Sequence, residues 1–154
     1  MASNRHLGRI VALQTLYEYE FRVDSEDTSV DIKEILKRNL DRYETAIDDT
    51  KFVETLVTGV LEHQASLDDQ LRPIAPDWPI EQIARVDRNI LRIGVYELLH
   101  QGDIVPPKVV INEAVELAKA FGSDNSSKFV NGVLGTAYRT LIEGADNGSN
   151  TTVW

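Results

Sequence analysis

Cysteine is absent from the 154 residues, which removes disulfides, thiolate metal sites and thiol redox chemistry together and fits a cytosolic protein. No stretch of about 18 uninterrupted apolar residues is present, so no membrane span is expected. The opening MASNRHLGRIVALQ has no apolar run long enough for a signal peptide. The reading is a soluble, cytoplasmic protein without a membrane partner. Basic residues are also scarce, with 16 Lys plus Arg against 25 Asp plus Glu and a net charge of −9. Avid, sequence-blind nucleic-acid binding depends on phosphate neutralisation and is disfavoured by that balance. Any RNA site must be local and basic, and the acidic remainder suits a basic protein partner.

Catalytic patterns are missing as well. His6, His63 and His100 are scattered and fall in no HExxH or Glu-x-x-His arrangement. There is no G-x-x-x-x-G-K-[ST] phosphate loop, no G-x-G-x-x-G and no G-x-S-x-G elbow. No enzyme activity, cofactor or metal is therefore expected. The alternating apolar pattern of strands is missing too, which leaves an all-α reading.

Helical periodicity is what the chain does have. Residues 4–22 carry Leu7, Ile10, Val11, Leu13, Leu16, Tyr17 and Phe21 as a broad apolar stripe, with Ser3 or Asn4 as cap. The first two turns hold Arg5, His6 and Arg9 and no acid. Arg5 and Arg9, four apart, share a face that is expected to extend toward solvent. Such positive charge at a helix start is unfavourable to the helix dipole, so stability alone does not ask for it. A second helix runs from Ile32 toward Ile47, and IDDT, residues 47–50, supplies turn and capping groups. A third helix is read over residues 51–71. Three of the five prolines then fall within residues 72–79, the best internal boundary, where Trp78 reads as a core anchor.

The pattern resumes over residues 80–100 with apolar side chains around so much of the circumference that this helix should be central. Arg85, Asp87, Arg88 and Arg92 add ion-pairing options to it. Pro106 and Pro107 are read as an extended breaker before a helix capped by Asn112 and stopped by Gly122. The last helix begins near Ser126 and carries Phe129, Val130, Val133, Leu134, Ala137, Leu141 and Ile142. Gly132 and Gly135 weaken it by roughly 1 kcal/mol each, and close approach of a neighbouring backbone is the expected reason. Residues 144–154 read as a frayed tail.

Residues 123–129, SDNSSKF, form the elbow between the last two helices. Hydroxyls and amides beside the open N–H groups of a helix start can receive a phosphate. Lys128 adds charge there, and Phe129 offers a stacking face for an unpaired base. On residue chemistry alone, a plain cap with Phe129 buried stands level with a binding role.

The stretches LQTLYEYEF, VDRNILRIGVYELL and PPKVVINEAVELAKAFGSDNSSKFVNGVL resemble the NusB family of bacterial transcription antitermination factors, and the resemblance runs from about Arg5 to Ile142. It implies about seven helices in two packed halves, an N-terminal half over residues 4–71 and a C-terminal half over residues 80–143. It also implies a non-catalytic role. The family's expected partners are NusE, the small-subunit ribosomal protein S ten, single-stranded boxA RNA of ribosomal leader transcripts, and, indirectly, other Nus factors and RNA polymerase. Both monomers and homodimers occur in the family. Carried over by position, the RNA contacts are Arg5, His6 and Arg9 in the first helix and Asn125, Lys128 and Phe129 at the elbow. NusE contacts are expected at Asp87, Arg88 and Glu97. The first region departs from the family pattern, since many relatives carry more consecutive arginines. Two alternatives stay open: an RNA-binding accessory of an rRNA-modifying enzyme, and a helical module that binds only protein.

Overall fold

The structure is a computed structural model, and it describes residues 4–43, 45–75 and 79–144. Trp78 and the tail beyond residue 144 lie outside the described residues. Among the described residues there are seven α-helices and no strand. The chain divides into two units, Met1–Glu62 and His63–Trp154.

The first unit holds α1 (Arg5–Asp24), α2 (Ile32–Arg42) and α3 (Thr50–Glu62). Each start has an acceptor of the expected kind. Asn4 accepts from the Leu7 N–H at 3.2 Å, Asp31 from Lys33 at 2.9 Å and Asp49 from Phe52 at 3.1 Å. Val11, Leu16, Ile35, Val53, Leu56 and Val60 are buried as its core. The amide of Asn39 donates to Thr15 Oγ1 at 3.0 Å, a buried bond that fixes α2 against α1. α2 stops at Arg42, earlier than the periodicity suggests, and Ile47 is buried from the turn that follows.

The second unit holds α4 (Gln64–Leu71), a 3-10 turn (Ile80–Gln82), α5 (Arg85–His100), α6 (Pro107–Phe121), α7 (Ser126–Ala137) and a π-helical turn (Tyr138–Glu143). The long third helix expected over residues 51–71 is therefore two helices, broken at His63, and the unit boundary falls there rather than in the proline-rich stretch. Residues 64–71 belong with the second unit because Asp68 is tied to α5. Both Asp68 carboxylate oxygens accept from Arg92, from Nε at 2.8 Å and Nη2 at 2.9 Å, with the side chains 12% and 5% exposed. Such a fork is oriented by geometry as well as by charge.

α5 is central, as its apolar circumference implies, with residues 87–98 buried throughout. α7 crosses it closely at Gly94, where a Cβ would stand 2.7 Å from Leu134 Cδ1. Arg88 Nη1 donates to the Ile83 carbonyl at 2.8 Å and so fastens the segment leading into the helix. α6 begins at Pro107, which suits a first helical position because its missing N–H would have no partner there. Asn112 is thus inside the helix and exposed, and Pro106, not Asn112, stands at the cap. Gly122 ends α6 as expected.

Two histidines far apart in the chain meet in this unit. The rings of His63 and His100 stack at 4.5 Å, and Tyr96 stacks on His100 at 4.9 Å. His100 stays exposed on its outer side, and partial desolvation first, with the neighbouring His63 second, holds its imidazole below the ordinary pKa of 6.5. A depressed histidine favours the neutral ring, so its contribution to stability is complete above about pH 6.5 and is lost as pH falls through the lowered value. Chemical unfolding followed between about pH 7 and about pH 5 should show stability falling with acid, and His100→Gln should flatten that dependence. An unchanged slope in the variant would remove His100 as the cause.

Candidate nucleic-acid interface

The elbow is built around Ser126. Its Oγ accepts from the Ser123 N–H at 2.9 Å and donates to Asp87 Oδ2 in the first turn of α5 at 3.0 Å. Ser126 is 2% exposed. That arrangement explains the glycine before it. At Gly122 a Cβ would stand 2.5 Å from Ser126 Cβ and 2.8 Å from the Ala118 carbonyl oxygen, so the position needs a missing atom. Its φ of −93° is one that any residue adopts.

Around this anchor the remaining elbow groups face outward. Asn125 stands at the N-cap of α7 and makes no side-chain capping bond. First-turn N–H groups of a helix left without a cap are available to an anion. Lys128 is exposed and makes no ion pair among the described residues. Phe129 is half-buried and lines a cleft of about 490 Å³ with Ile83, Ala84, Asp87, Ser123 and Asn125. Asp87 Oδ1 is buried in that wall without a hydrogen-bond partner. The cleft thus joins an aromatic ring to amide, hydroxyl and carboxylate groups, and the exposed Lys128 precedes Phe129 in the chain without lining it. An unpaired base can stack and find polar edges in such surroundings.

The first unit treats its cluster differently. Arg9 is 3% exposed, so it does not extend toward solvent as its charge suggests. Its guanidinium lies 5.1 Å from the centre of the Phe52 ring, and that of Arg5 lies 4.8 Å from the same centre. The ring accepts both cations while the arginine stems cover apolar surface. Arg5 is also 3.5 Å from Asp49 and half-buried, whereas His6 is exposed. The helix start is therefore a clasp on Phe52 with part of Arg5 and His6 at the surface.

Asp87, Arg88 and Glu97, expected at a partner surface, are inside the second unit. Glu97 is 1% exposed and the other two 9% each. Asp87 and Arg88 serve the elbow and the entry to α5. The resemblance placed them at a partner surface, but each satisfies backbone or side-chain groups within the fold. The tie from Ser126 to Asp87, across 39 residues, had no signal in the sequence.

These features define an all-α protein of two helical units whose candidate site has the chemistry of a binding surface. Among the described residues no group of three or more metal-binding side chains occurs, and no helix is long and apolar enough to cross a membrane. Residues 6–139 match the NusB family, and the chain belongs to it. It is 48% identical over 137 residues to the transcription antitermination protein NusB of Chloroflexus aggregans, covering 88% of this chain and 87% of that one. The solved structure of NusB from T. maritima superposes with a TM-score of 0.79 at 34% identity, over 90% of this chain and 93% of that one. A structure of antitermination factors NusB and NusE in complex with dsRNA contains a chain similar to this one at a TM-score of 0.75 and 26% identity, over 88% of this chain and 96% of that one.

Proposed function

We propose that this chain is a non-catalytic, cytoplasmic RNA-binding antitermination factor that works with NusE on boxA RNA of ribosomal leader transcripts. In the assembled complex it reaches other Nus factors and RNA polymerase through that pair and suppresses premature termination. The observation that carries the reading is the elbow: an uncommitted amide and an aromatic wall in one cleft, next in the chain to an exposed lysine, on a helix start braced by Asp87. The solved NusB and NusE complex with RNA supports the partners.

The assigned RNA contacts are Asn125, Lys128 and Phe129 in the second unit. In the first unit Arg5 and His6 contribute from the surface of the helix start, and Arg9 holds that start in place through Phe52. NusE, a basic ribosomal protein, is drawn by the net charge of −9.

Fluorescence titration of a boxA oligonucleotide, with NusE present and over a range of salt, tests this reading. Lys128→Gln should weaken binding and make the dependence on log salt shallower by about 0.7, the value for one phosphate contact on a single strand. An unaltered slope, or RNA binding that ignores salt in the wild type, would favour a helical module that binds only protein. The half-committed arginines of the first unit are the observation behind that second reading.

A further inference from the structure

We propose that the groove between α6 and α7 holds the sugar–phosphate backbone of RNA that continues beyond the elbow. This rests on the RNA-binding reading and extends it along the helix. The groove has a volume of about 490 Å³ and is lined by Lys108 and Asn112 of α6, by Asn131, Gly132 and Gly135 of α7, and by Arg139 in the turn that follows. No acid lines it, although the whole chain carries 25 acids against 16 bases.

The lining groups are uncommitted. Lys108, Asn112 and Asn131 are exposed and make no side-chain hydrogen bond or ion pair among the described residues. Arg139 Nη2 donates to Thr136 Oγ1 at 3.3 Å, which leaves most of the guanidinium fork unused. Lysine as a point charge and arginine as a planar fork both suit phosphate oxygens. Amide side chains supply the donors and acceptors that ribose hydroxyls need.

Gly132 is the second observation. A neighbouring backbone is the usual reason for a glycine inside a helix, yet a Cβ added here would meet nothing within 4 Å. At Gly135 the nearest group is the Arg139 side chain at 3.5 Å, again not a backbone. Glycine in a helix interior costs about 1 kcal/mol relative to alanine. Nothing among the described residues requires Gly132, whereas an external backbone lying on the helix does.

Spacing joins the groove to the elbow. Lys128, Gly132, Gly135 and Arg139 follow one another at intervals of four, three and four, so they share one face. Eleven residues at 1.5 Å each carry that face about 16 Å from the elbow cation to the far one. An acidic peptide would meet the same two cations, but it would have no reason to continue from a surface that ends in a base-stacking ring.

The test uses fluorescein-labelled boxA RNA of minimal length and the same RNA extended by several nucleotides at its 5′ or its 3′ end, titrated with NusE present. For the wild type, one extension should tighten binding and steepen the salt dependence. The double variant Lys108→Gln/Arg139→Gln should lose that gain, with the salt slope on the extended RNA shallower by about 1.4, two contacts at about 0.7 each. Gly132→Leu should lose the gain by occupying the groove, while the minimal RNA binds both variants as before. Thermal unfolding of Gly132→Ala should show a stable fold, since the added methyl enters open space.

If neither extension tightens the wild type, or if an oligoglutamate peptide binds and is displaced by both variants while extension has no effect, the inference fails. The elbow reading survives that result because minimal RNA still binds. Failure of the minimal RNA to bind at all would overturn both.

Discussion

Asp68→Ala should lower the unfolding free energy by about 3–5 kcal/mol, as is usual when one partner of a buried ion pair is removed. The carboxylate meets Arg92 through two bonds, and Arg92 is 4% exposed, so water cannot replace what is lost. Removing both charges is different in kind. Asp68→Leu/Arg92→Met leaves no stranded ion and replaces the pair with apolar volume, which is often close to neutral. Chemical denaturation of Asp68→Leu, Arg92→Met and the double variant therefore gives a coupling energy, and a double variant that costs the sum of the two singles would show that the pair is not what the single change disrupts. The consequence for the fold is specific. α4 should fray before the rest of the second unit, because Leu67 and Leu71 are its other buried anchors and the helix has eight residues.

Phe129→Leu should weaken boxA binding by roughly 1–3 kcal/mol, about 5- to 150-fold, the range for losing one base-aromatic stack. Leucine keeps much of the apolar volume in the cleft wall and so keeps the fold. Phe129→Tyr retains a ring and should bind nearly as the parent does. Affinity measured with NusE present separates the cases: loss in the leucine variant with retention in the tyrosine variant is the mark of stacking. Equal retention in both would mean that Phe129 serves packing and that the elbow acts through Lys128 and Asn125 alone.

How far these features could be read from residues depends on what kind of signal each one has. The stripes of α1, α5 and α7 are long and periodic, and Asn4, Asp49 and Gly122 sit where helix ends need them, so these elements were legible. The break at His63 carries no proline or glycine. The segment after it is tied to α5 by Asp68 and Arg92, a contact between residues 24 apart that periodicity cannot register. Pro106 and Pro107 were legible as a helix stop for α5 but not as the start of α6, since one proline at the first helical position reads like an extended pair.

Charge was the poorest guide to position. Arg9 was expected to extend toward solvent, and the resemblance put Asp87, Arg88 and Glu97 at a partner surface, yet all four are buried. The partner is Phe52 of α3 for Arg9, Ser126 of α7 for Asp87 and the Ile83 carbonyl ahead of α5 for Arg88. The elbow itself was legible as a mixture of residue types, and its geometry was not. Nothing in SDNSSKF says that the first of the adjacent serines at 126 and 127 turns inward to Asp87 while Lys128 stays free. The stacked pair of His63 and His100 was invisible for the same reason.

The fit between Gly122 and Ser126 has a consequence for how this elbow can drift over generations. A side chain at position 122 would press on Ser126 and also on the Ala118 carbonyl oxygen, so a smaller residue at 126 would not by itself make room for it. Such a residue would moreover have no hydroxyl to give to Asp87. The glycine is therefore held by the α6 backbone and the serine by Asp87, and neither position is free to change alone. Lys128 and Asn125, a few residues away and with side chains bound to none of these, carry no such constraint.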